Sequence, residues 1–129
     1  MSLAGKVVIV TGGSRGIGEA IVRYLAGEGA HVHATYNASG ERAEKIQAEL
    51  QGQGRHVQFH RLDVRDSSMC TQLVETVVAR SGRVDALVNN AGITRDALLL
   101  RMSEQEWDDV VTTNLRSVFA MTKAVLQPM

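Results

Sequence analysis

The sequence of 129 residues contains a single cysteine and has no excess of charge of either sign. Cys70 cannot form a disulfide within the chain, and its place in an apolar row at helical spacing indicates a buried structural thiol. Because 14 basic residues balance 14 acidic ones, the composition does not favour binding to nucleic acid or to an anionic membrane. A small neutral or anionic ligand fits this composition better.

Long apolar runs and flexible linkers are also missing. The first ten residues, MSLAGKVVIV, are too short an apolar stretch to span a membrane and lack the basic start and cleavage site of a signal peptide. No repeat and no Pro/Ser-rich linker marks an internal boundary, so we expect one domain over residues 1–129. With an unpaired cysteine, these features predict a cytoplasmic protein.

Short β-branched segments alternate with longer amphipathic ones along the whole chain. The pattern predicts strands at Lys6 to Val10, His31 to Tyr36, Val57 to Leu62 and Val84 to Val88. It predicts helices at Gly16 to Glu28, Glu41 to Gln51, Ser67 to Arg80 and from a Ser103–Glu106 capping box towards Pro128. This order, βαβαβαβα, predicts a Rossmann-type parallel sheet with helices on both faces and strand order 3-2-1-4.

The helical patterns also predict which side chains are buried. In the first helix the expected apolar stripe is Ile17, Ala20, Ile21, Tyr24 and Leu25, and in the second it is Ala43, Ile46 and Leu50. The third helix shows two adjoining rows, Met69, Leu73, Val77 and Cys70, Val74, Val78. In the fourth helix the stripe is Trp107, Val110, Val111, Leu115 and Val118, and Asn114 lies on it.

A glycine-rich stretch, TGGSRGIG from Thr11 to Gly18, links the first strand to the first helix. Its spacing matches neither the GxGxxG dinucleotide loop nor the P-loop. At this place, backbone N–H groups and the helix dipole create an anion site that suits a pyrophosphate. Gly12 can permit the sharp turn, and Gly16 and Gly18 remove Cβ atoms where a ligand or the sheet comes close. The alternative is a turn that needs glycine for packing alone.

Two further polar groups follow the ends of strands. The segment NNAG, Asn89 to Gly92, comes after the fourth strand, and Asp63 and Val64 come after the third. In the order 3-2-1-4 these ends meet at the switch point of the sheet, where ligands of open α/β sheets bind. Asn89 and Asn90 could instead be turn-forming amides that bond loop backbone.

Taken together, these motifs resemble the short-chain dehydrogenase/reductase family. The markers are TGxxxGxG, the pair Asp63–Val64, NNAG and the TTNL segment of Thr112 to Leu115, in that order. The stretch from Asn89 to Phe119 is similar, more narrowly, to 3-oxoacyl-[acyl-carrier-protein] reductases of fatty acid synthesis, and acetoacetyl-CoA reductases read similarly. The resemblance covers the cofactor-binding half, which implies a sheet truncated before its fifth strand.

The resemblance implies a role for each matching residue. The pyrophosphate and adenosine ribose would be held by Gly12, Ser14, Arg15, Gly16, Ile17 and Gly18. Asp63 and Val64 would contact adenine, and the ribose and nicotinamide side would be lined by Asn89, Asn90, Ala91 and Gly92. Asn114 would be a catalytic residue that holds a water for a lysine relay. The alternative for Asn114 is a core amide bonded to a nearby carbonyl.

The end of the second strand bears on the choice of cofactor. An acid there would bind the ribose hydroxyls of NAD and repel the extra phosphate of NADP, and ATYNASG contains none. Asn37 and Ser39 can donate to a phosphate, and Arg15 can pair with it in a bidentate manner. We therefore expect NADPH, although Arg15 could be a solvated arginine near a helix start.

The tyrosine and lysine of the family's chemistry are not found in this sequence. Tyr24 and Tyr36 are followed four residues later by Glu28 and Gly40, so neither forms Tyr-x-x-x-Lys. The family's serine, tyrosine and lysine follow the fourth helix. The chain could be a fragment of a reductase, an incomplete reductase sequence or an independent nucleotide-binding or self-associating module. We expect the 129-residue chain alone to be inactive towards a small-molecule or carrier-bound acyl substrate.

Four histidines lie on or beside two strands: His31, His33, His56 and His60. Because no other residue completes a ligand set, we expect no metal site.

The strand Val84 to Val88 would be an exposed edge of the sheet, beside bare apolar surface on the fourth helix. We therefore expect a homo-oligomer that uses this side.

Overall fold

The computed structural model describes residues 3–38, 40–92 and 99–129. In this part of the chain, four parallel strands form one sheet in the order β3-β2-β1-β4. The strands are β1 (Val7–Val10), β2 (His31–Tyr36), β3 (His56–Arg61) and β4 (Ala86–Val88). The predicted Rossmann-type sheet and its strand order are confirmed, and β4 begins two residues later than expected.

The helices follow the strands as the alternation predicts. They are α1 (Gly16–Gly27), α2 (Gly40–Gly52), α3 (Ser67–Ser81), α4 (Glu104–Val111) and α5 (Ser117–Leu126). A short 3₁₀ helix spans Leu99–Arg101, and a π-helical segment, Thr112–Arg116, joins α4 to α5. The capping box of Ser103 and Glu106 is present at the start of α4. The predicted fourth helix is therefore a continuous run that contains a π-helical turn.

The central strand β1 is buried on both faces. Successive residues of a strand face opposite sides of the sheet, and Val7 and Ile9 pack against residues of α3 and α5. Val8 and Val10 pack on the other side, against residues of α1 and α2. Helices therefore cover both faces of the sheet, as a parallel arrangement requires.

The buried face of α1 differs from the predicted stripe. Ile17 and Tyr24 are 75% and 63% exposed, whereas Gly18, Val22 and Ala26 are buried. The reason is steric. The helix α1 comes closest to the preceding turn at Gly18, so the helix face with Gly18, Val22 and Ala26 packs against the sheet. In α2 and α3 the predicted rows are correct, and Cys70 is fully buried.

The stripe predicted for the fourth helix is also wrong. Trp107 and Leu115 are 59% and 67% exposed, and α4 contains no buried residue. The buried row is Thr113, Ser117, Met121 and Val125. A π-helical turn holds an extra residue, so it changes the direction of every side chain that follows relative to a regular α-helix. Within the described part of the chain, no helix has both the length and the apolar character needed to cross a bilayer.

Candidate cofactor-binding site

A pocket of about 410 Å³ opens where the carboxyl ends of the strands meet. Nine predicted site residues line it: Gly12, Ser14, Arg15, Asn37, Asp63, Val64, Asn90, Ala91 and Gly92. They come from the turn after β1, the ends of β2 and β3, and the segment after β4. The strand order alone brings these distant segments to the switch point.

Two glycines of the turn allow close contacts within the protein. Gly12 has φ +70°, and a Cβ there would lie 2.9 Å from the Cα of Ala91. A Cβ on Gly18 would lie 1.9 Å from the carbonyl oxygen of Gly12. Gly18 is buried and does not line the pocket, so its role is to let α1 pack against the turn.

The start of α1 is open to an anion. Gly16 has φ +58°, and no atom lies within 4 Å of the position that its Cβ would take. Arg15 occupies the N-cap position without forming a side-chain capping hydrogen bond, and Ile17 is exposed. The N–H groups of a first helical turn lack partners within the helix and carry the positive end of its dipole. This end of α1 therefore fits a phosphate group.

The acidic residue in that first turn is neutralised by two arginines. Glu19 accepts hydrogen bonds from Arg23 and from Arg42. Burial favours the protonated form of Glu19, but these hydrogen bonds lower its pKa overall. Arg42 also donates from Nε to the Ser14 carbonyl oxygen across 2.8 Å, which fixes the turn to α2. Nothing in the sequence spacing of Arg42 indicates this contact.

Threonines connect the turn after β1 to the neighbouring strands. The Thr11 hydroxyl accepts from the backbone N–H groups of Asn90 and Ala91 at 3.1 and 3.0 Å. The hydroxyl of Thr35 accepts from the Gly12 N–H at 3.1 Å. The Asn90 side chain donates to the Gly12 carbonyl oxygen at 2.9 Å. Thr35 lies inside a β-branched run and gave no signal of this role in the sequence.

Asp63 lies in the pocket wall and forms a bidentate ion pair. Its two carboxylate oxygens accept from the Arg65 guanidinium at 3.0 and 2.9 Å. This hydrogen bonding lowers the pKa of Asp63, so the carboxylate is charged at neutral pH. Arg65 also lines the pocket and was not singled out from the sequence. The ion pair thus places a carboxylate acceptor, Asp63, beside a cation, Arg65, in the wall of the pocket.

The carboxyl end of β2 supplies Asn37 to the pocket, where it is exposed. Ser39, the other predicted phosphate donor, lies outside the described residues. Arg15, from the turn after β1, is exposed and lines the same pocket. The pocket thus contains a cation and an amide, and no acid follows β2 before α2.

Asn89 and Asn114 lie at the edge of this site. Asn89 does not line the pocket, and its amide donates to the Thr122 hydroxyl of α5 at 3.3 Å. Asn114 lies in the π-helical segment, and its Oδ1 is 3.0 Å from where a Gly92 Cβ would be. Asn114 is half-buried, whereas the pattern predicted a core-facing amide. Its neighbour Thr113 is buried and lines the pocket. Single π-helical turns often occur at functional sites.

Metal ligation finds no support in this geometry. Across residues 3–38, 40–92 and 99–129, no group of three or more His, Cys, Asp or Glu side chains could hold a metal ion. The groups that line the pocket offer hydrogen bonds and charge, from amides, arginines and one paired carboxylate.

The sequence and the fold are similar to those of characterised enzymes. Curated 3-oxoacyl-[acyl-carrier-protein] reductases from Chlamydia trachomatis and Escherichia coli are 45% and 46% identical over 128 and 129 residues, which is 98% and 100% of this chain. Each match covers 51% of the relative, so the chain spans about half the length of the curated relatives it matches.

Solved structures agree with this relationship. A short-chain dehydrogenase/reductase from Serratia marcescens matches with a TM-score of 0.95 and 39% identity, over 100% of this chain and 53% of that one. A short-chain dehydrogenase from Burkholderia cenocepacia in complex with NADP matches with a TM-score of 0.95 and 37% identity, over the same shares. The model of the short chain dehydrogenase family matches residues 6–129. The chain therefore belongs to the short-chain dehydrogenase family.

Proposed function

We propose that this chain is the cofactor-binding part of an NADPH-dependent reductase that acts on 3-oxoacyl thioesters, as 3-oxoacyl-[acyl-carrier-protein] reductases do. The observation that carries the proposal is the pocket at the switch point, which joins the glycine turn, Asp63 and the NNAG segment. The identity to curated reductases of that name supports the substrate class. Residues 1–129 form one cofactor-binding unit in this proposal.

Each end of the cofactor has a fitting group in the pocket. The open start of α1 would hold the pyrophosphate with backbone N–H groups, because no side chain caps it. Asp63 and Val64 would take the adenine, and Asn90, Ala91 and Gly92 would line the nicotinamide side. The backbone of this helix start, at Gly16, Ile17 and Gly18, would contact the cofactor. Asn89 would support the site indirectly, because it anchors the end of β4 to α5.

The extra phosphate of NADPH would lie between Arg15 and Asn37. Both residues line the pocket and both are exposed, so a phosphate can reach them without displacing a core contact. An arginine fork matches phosphate geometry, and a carboxylate that would repel it is absent from the end of β2. A related short-chain dehydrogenase was solved in complex with NADP, which supports a cofactor of this kind.

When bound, a reduced nicotinamide supplies the hydride for reduction of a ketone. Asn114, beside Gly92 at the rim, would position a water for proton delivery. The proton donor itself is expected outside this chain, because neither Tyr24 nor Tyr36 has a lysine four residues on. The chain alone should therefore lack general acid catalysis, which contributes about 10² to 10⁴ in rate.

Two other functions rest on specific observations. The chain could belong to an acetoacetyl-CoA reductase or another short-chain dehydrogenase, because the pocket described here binds the cofactor and does not select the acyl group. It could also be a non-catalytic nucleotide-binding or self-associating module, since large apolar side chains of α4 and α5 are exposed. The cytoplasmic location expected from the sequence stays a prediction.

Absorbance of NADPH in the presence of acetoacetyl-CoA tests the proposal. The chain should be inactive alone and should gain turnover when it is mixed with the C-terminal half of a related reductase. The Asn114→Ala variant should reduce that turnover without changing NADPH affinity. Nucleotide binding with no turnover in the mixture would favour the non-catalytic module, and turnover by the repurified chain alone would contradict the placement of the proton donor.

A further inference from the structure

A second pocket, of about 340 Å³, lies at the amino ends of β2 and β3, whereas the cofactor pocket lies at the carboxyl ends of the strands. Its lining includes His31, where β2 begins, and His56, where β3 begins. Arg55 enters from the residue before β3, and Arg80 from the last turn of α3. A six-residue strand is about 20 Å long, so ligands in the two pockets would not touch.

Strand register places the histidines of this pocket side by side. His31 is the parallel partner of His56, and their rings stack with centroids 4.2 Å apart. His56 is exposed and His31 is half-buried, so this pair lies at the accessible part of the pocket. Each neutral imidazole carries one N–H donor, and a protonated one carries two.

His33 and Ser81 of the pocket wall belong to a hydrogen-bonded chain that also includes His60. His33 is 4% exposed, its Nδ1 lies 3.0 Å from Nε2 of His60, and its Nε2 lies 2.8 Å from the Ser81 hydroxyl. Burial, together with the charges of His60, Arg80 and His31, lowers the pKa of His33 to about 4. His33 is therefore neutral at pH 7, and its ring nitrogens already have partners, so it supports the pocket without contacting a ligand.

The fixed charge of the pocket is positive. None of the described residues that line it is an aspartate or a glutamate. Arg80 donates to the neutral Oε1 of Gln58 at 3.1 Å, and Arg55 donates to the Gly27 carbonyl oxygen at 3.3 Å. In the described part of the chain neither arginine pairs with a carboxylate, in contrast to Arg23, Arg42, Arg65 and Arg83. Each guanidinium has five N–H donors, so most remain available to an anion.

We propose that this pocket binds a phosphate group, as the free ion or as a phosphomonoester, between Arg55 and Arg80 with His31 and His56 as further donors. Guanidinium groups bind phosphate oxygens through paired hydrogen bonds, and imidazole N–H groups add to them at short range. Two arginines without a competing carboxylate also produce a local positive potential that concentrates anions. This site is independent of the proposed cofactor pocket.

Titration with inorganic phosphate tests this proposal. The ring Cε1–H signals of the four histidines are followed by NMR, with chloride at the same ionic strength as the reference. We expect saturable shifts of the His31 and His56 signals. Arg80→Gln should weaken binding at least tenfold, and Arg55→Gln with Arg80→Gln should abolish it. Both arginines are exposed, and circular dichroism checks that the variants are folded.

Arg101→Gln is the matched control, because Arg101 is exposed and lines neither this pocket nor the cofactor pocket, and it should leave the His31 and His56 shifts unchanged. Shifts that do not saturate, or that persist in the double variant, would overturn the proposal. Glycerol phosphate separates the two sources of the group. Competition with inorganic phosphate would assign the pocket to phosphomonoesters, and lack of competition would assign it to the free ion.

Discussion

The side-chain amide of Asn90 donates to the carbonyl oxygen of Gly12 across 2.9 Å, and the missing Cβ of Gly18 leaves room for that same oxygen. One carbonyl oxygen therefore joins the turn after β1, the start of α1 and the segment after β4. The geometry of the proposed cofactor pocket depends on this junction, because all three segments contribute to it or support it.

Replacement of Gly18 by alanine should strongly destabilise the protein. The added Cβ would lie 1.9 Å from the Gly12 oxygen and 2.5 Å from the Asn90 amide nitrogen, and neither can move without breaking the junction. Overpacking of this kind costs about 1 to 3 kcal/mol, occasionally more. Urea unfolding of Gly18→Ala against the wild type measures the loss.

Gly27→Ala is the matched control for that experiment. Gly27 ends the same helix, and no atom lies within 4 Å of the position of its Cβ. Alanine favours the helix over glycine by up to about 1 kcal/mol, so this variant should be as stable as the wild type or more stable. Equal stabilities of the two variants would show that the close approach at Gly18 does not matter.

Acidification should destabilise the protein through His33. The unfolded chain takes up a proton near pH 6.5, whereas the pKa of buried His33 is lowered to about 4. The stabilising contribution of neutral His33 is thus complete above pH 6.5 and is lost as the pH falls towards 4. Linkage over this window gives a loss of about 2 kcal/mol between pH 7.5 and 5. Burial and Arg80 also lower the pKa of His60, which acts in the same direction.

Urea unfolding of the wild type and of His33→Gln at these two pH values checks this prediction. The variant lacks the titrating ring, so its unfolding free energy should change less with pH. The paired carboxylates, such as Asp63, titrate at lower pH because their pKa values are lowered, and they contribute little above pH 5. The same pH dependence in both proteins would contradict the role of His33.

Much of the fold followed from the sequence because local patterns and topology agree. The β-branched runs predict the strands to within two residues, and residues of the glycine turn and of NNAG line the pocket at the switch point as expected. The capping box at Ser103 marked the start of α4, since both of its hydrogen bonds form between residues three apart.

The errors arose where contacts between distant segments determine the structure. Periodicity predicts Ile17 and Tyr24 on the buried face of α1, but the close contact at Gly18 turns both side chains outward. The regular helical period of 3.6 residues does not predict the π-helical turn at Thr112–Arg116, in which Leu115 is exposed. The hydrogen bond between His33 and His60 joins residues 27 apart in sequence and depends on the register of β2 and β3.

The outer side of α4 and α5 should mediate self-association. Leu115, Phe119 and Leu126 are each about two-thirds exposed, and Trp107 is 59% exposed. Large apolar patches on soluble proteins usually mark interfaces. We therefore predict a homodimer or higher oligomer by light scattering at micromolar concentration. Phe119→Glu should shift it to the monomer, and Ala48→Glu, which adds the same charge on the exposed side of α2, should not. A wild-type monomer would contradict this prediction.

Fluorescence titration of the chain with NADPH and with NADH tests the central claim most directly, because the claim is that the pocket at the switch point binds this cofactor. We predict saturable binding of both, tighter for NADPH. Arg15→Gln should lose most of that preference, since a hydrogen bond to a charged group contributes about 1.5 to 3 kcal/mol, or roughly tenfold to hundredfold in affinity. Arg55→Gln, in the second pocket, should retain it. Absence of NADPH binding, or equal affinity for the two cofactors in the wild type, would contradict the account.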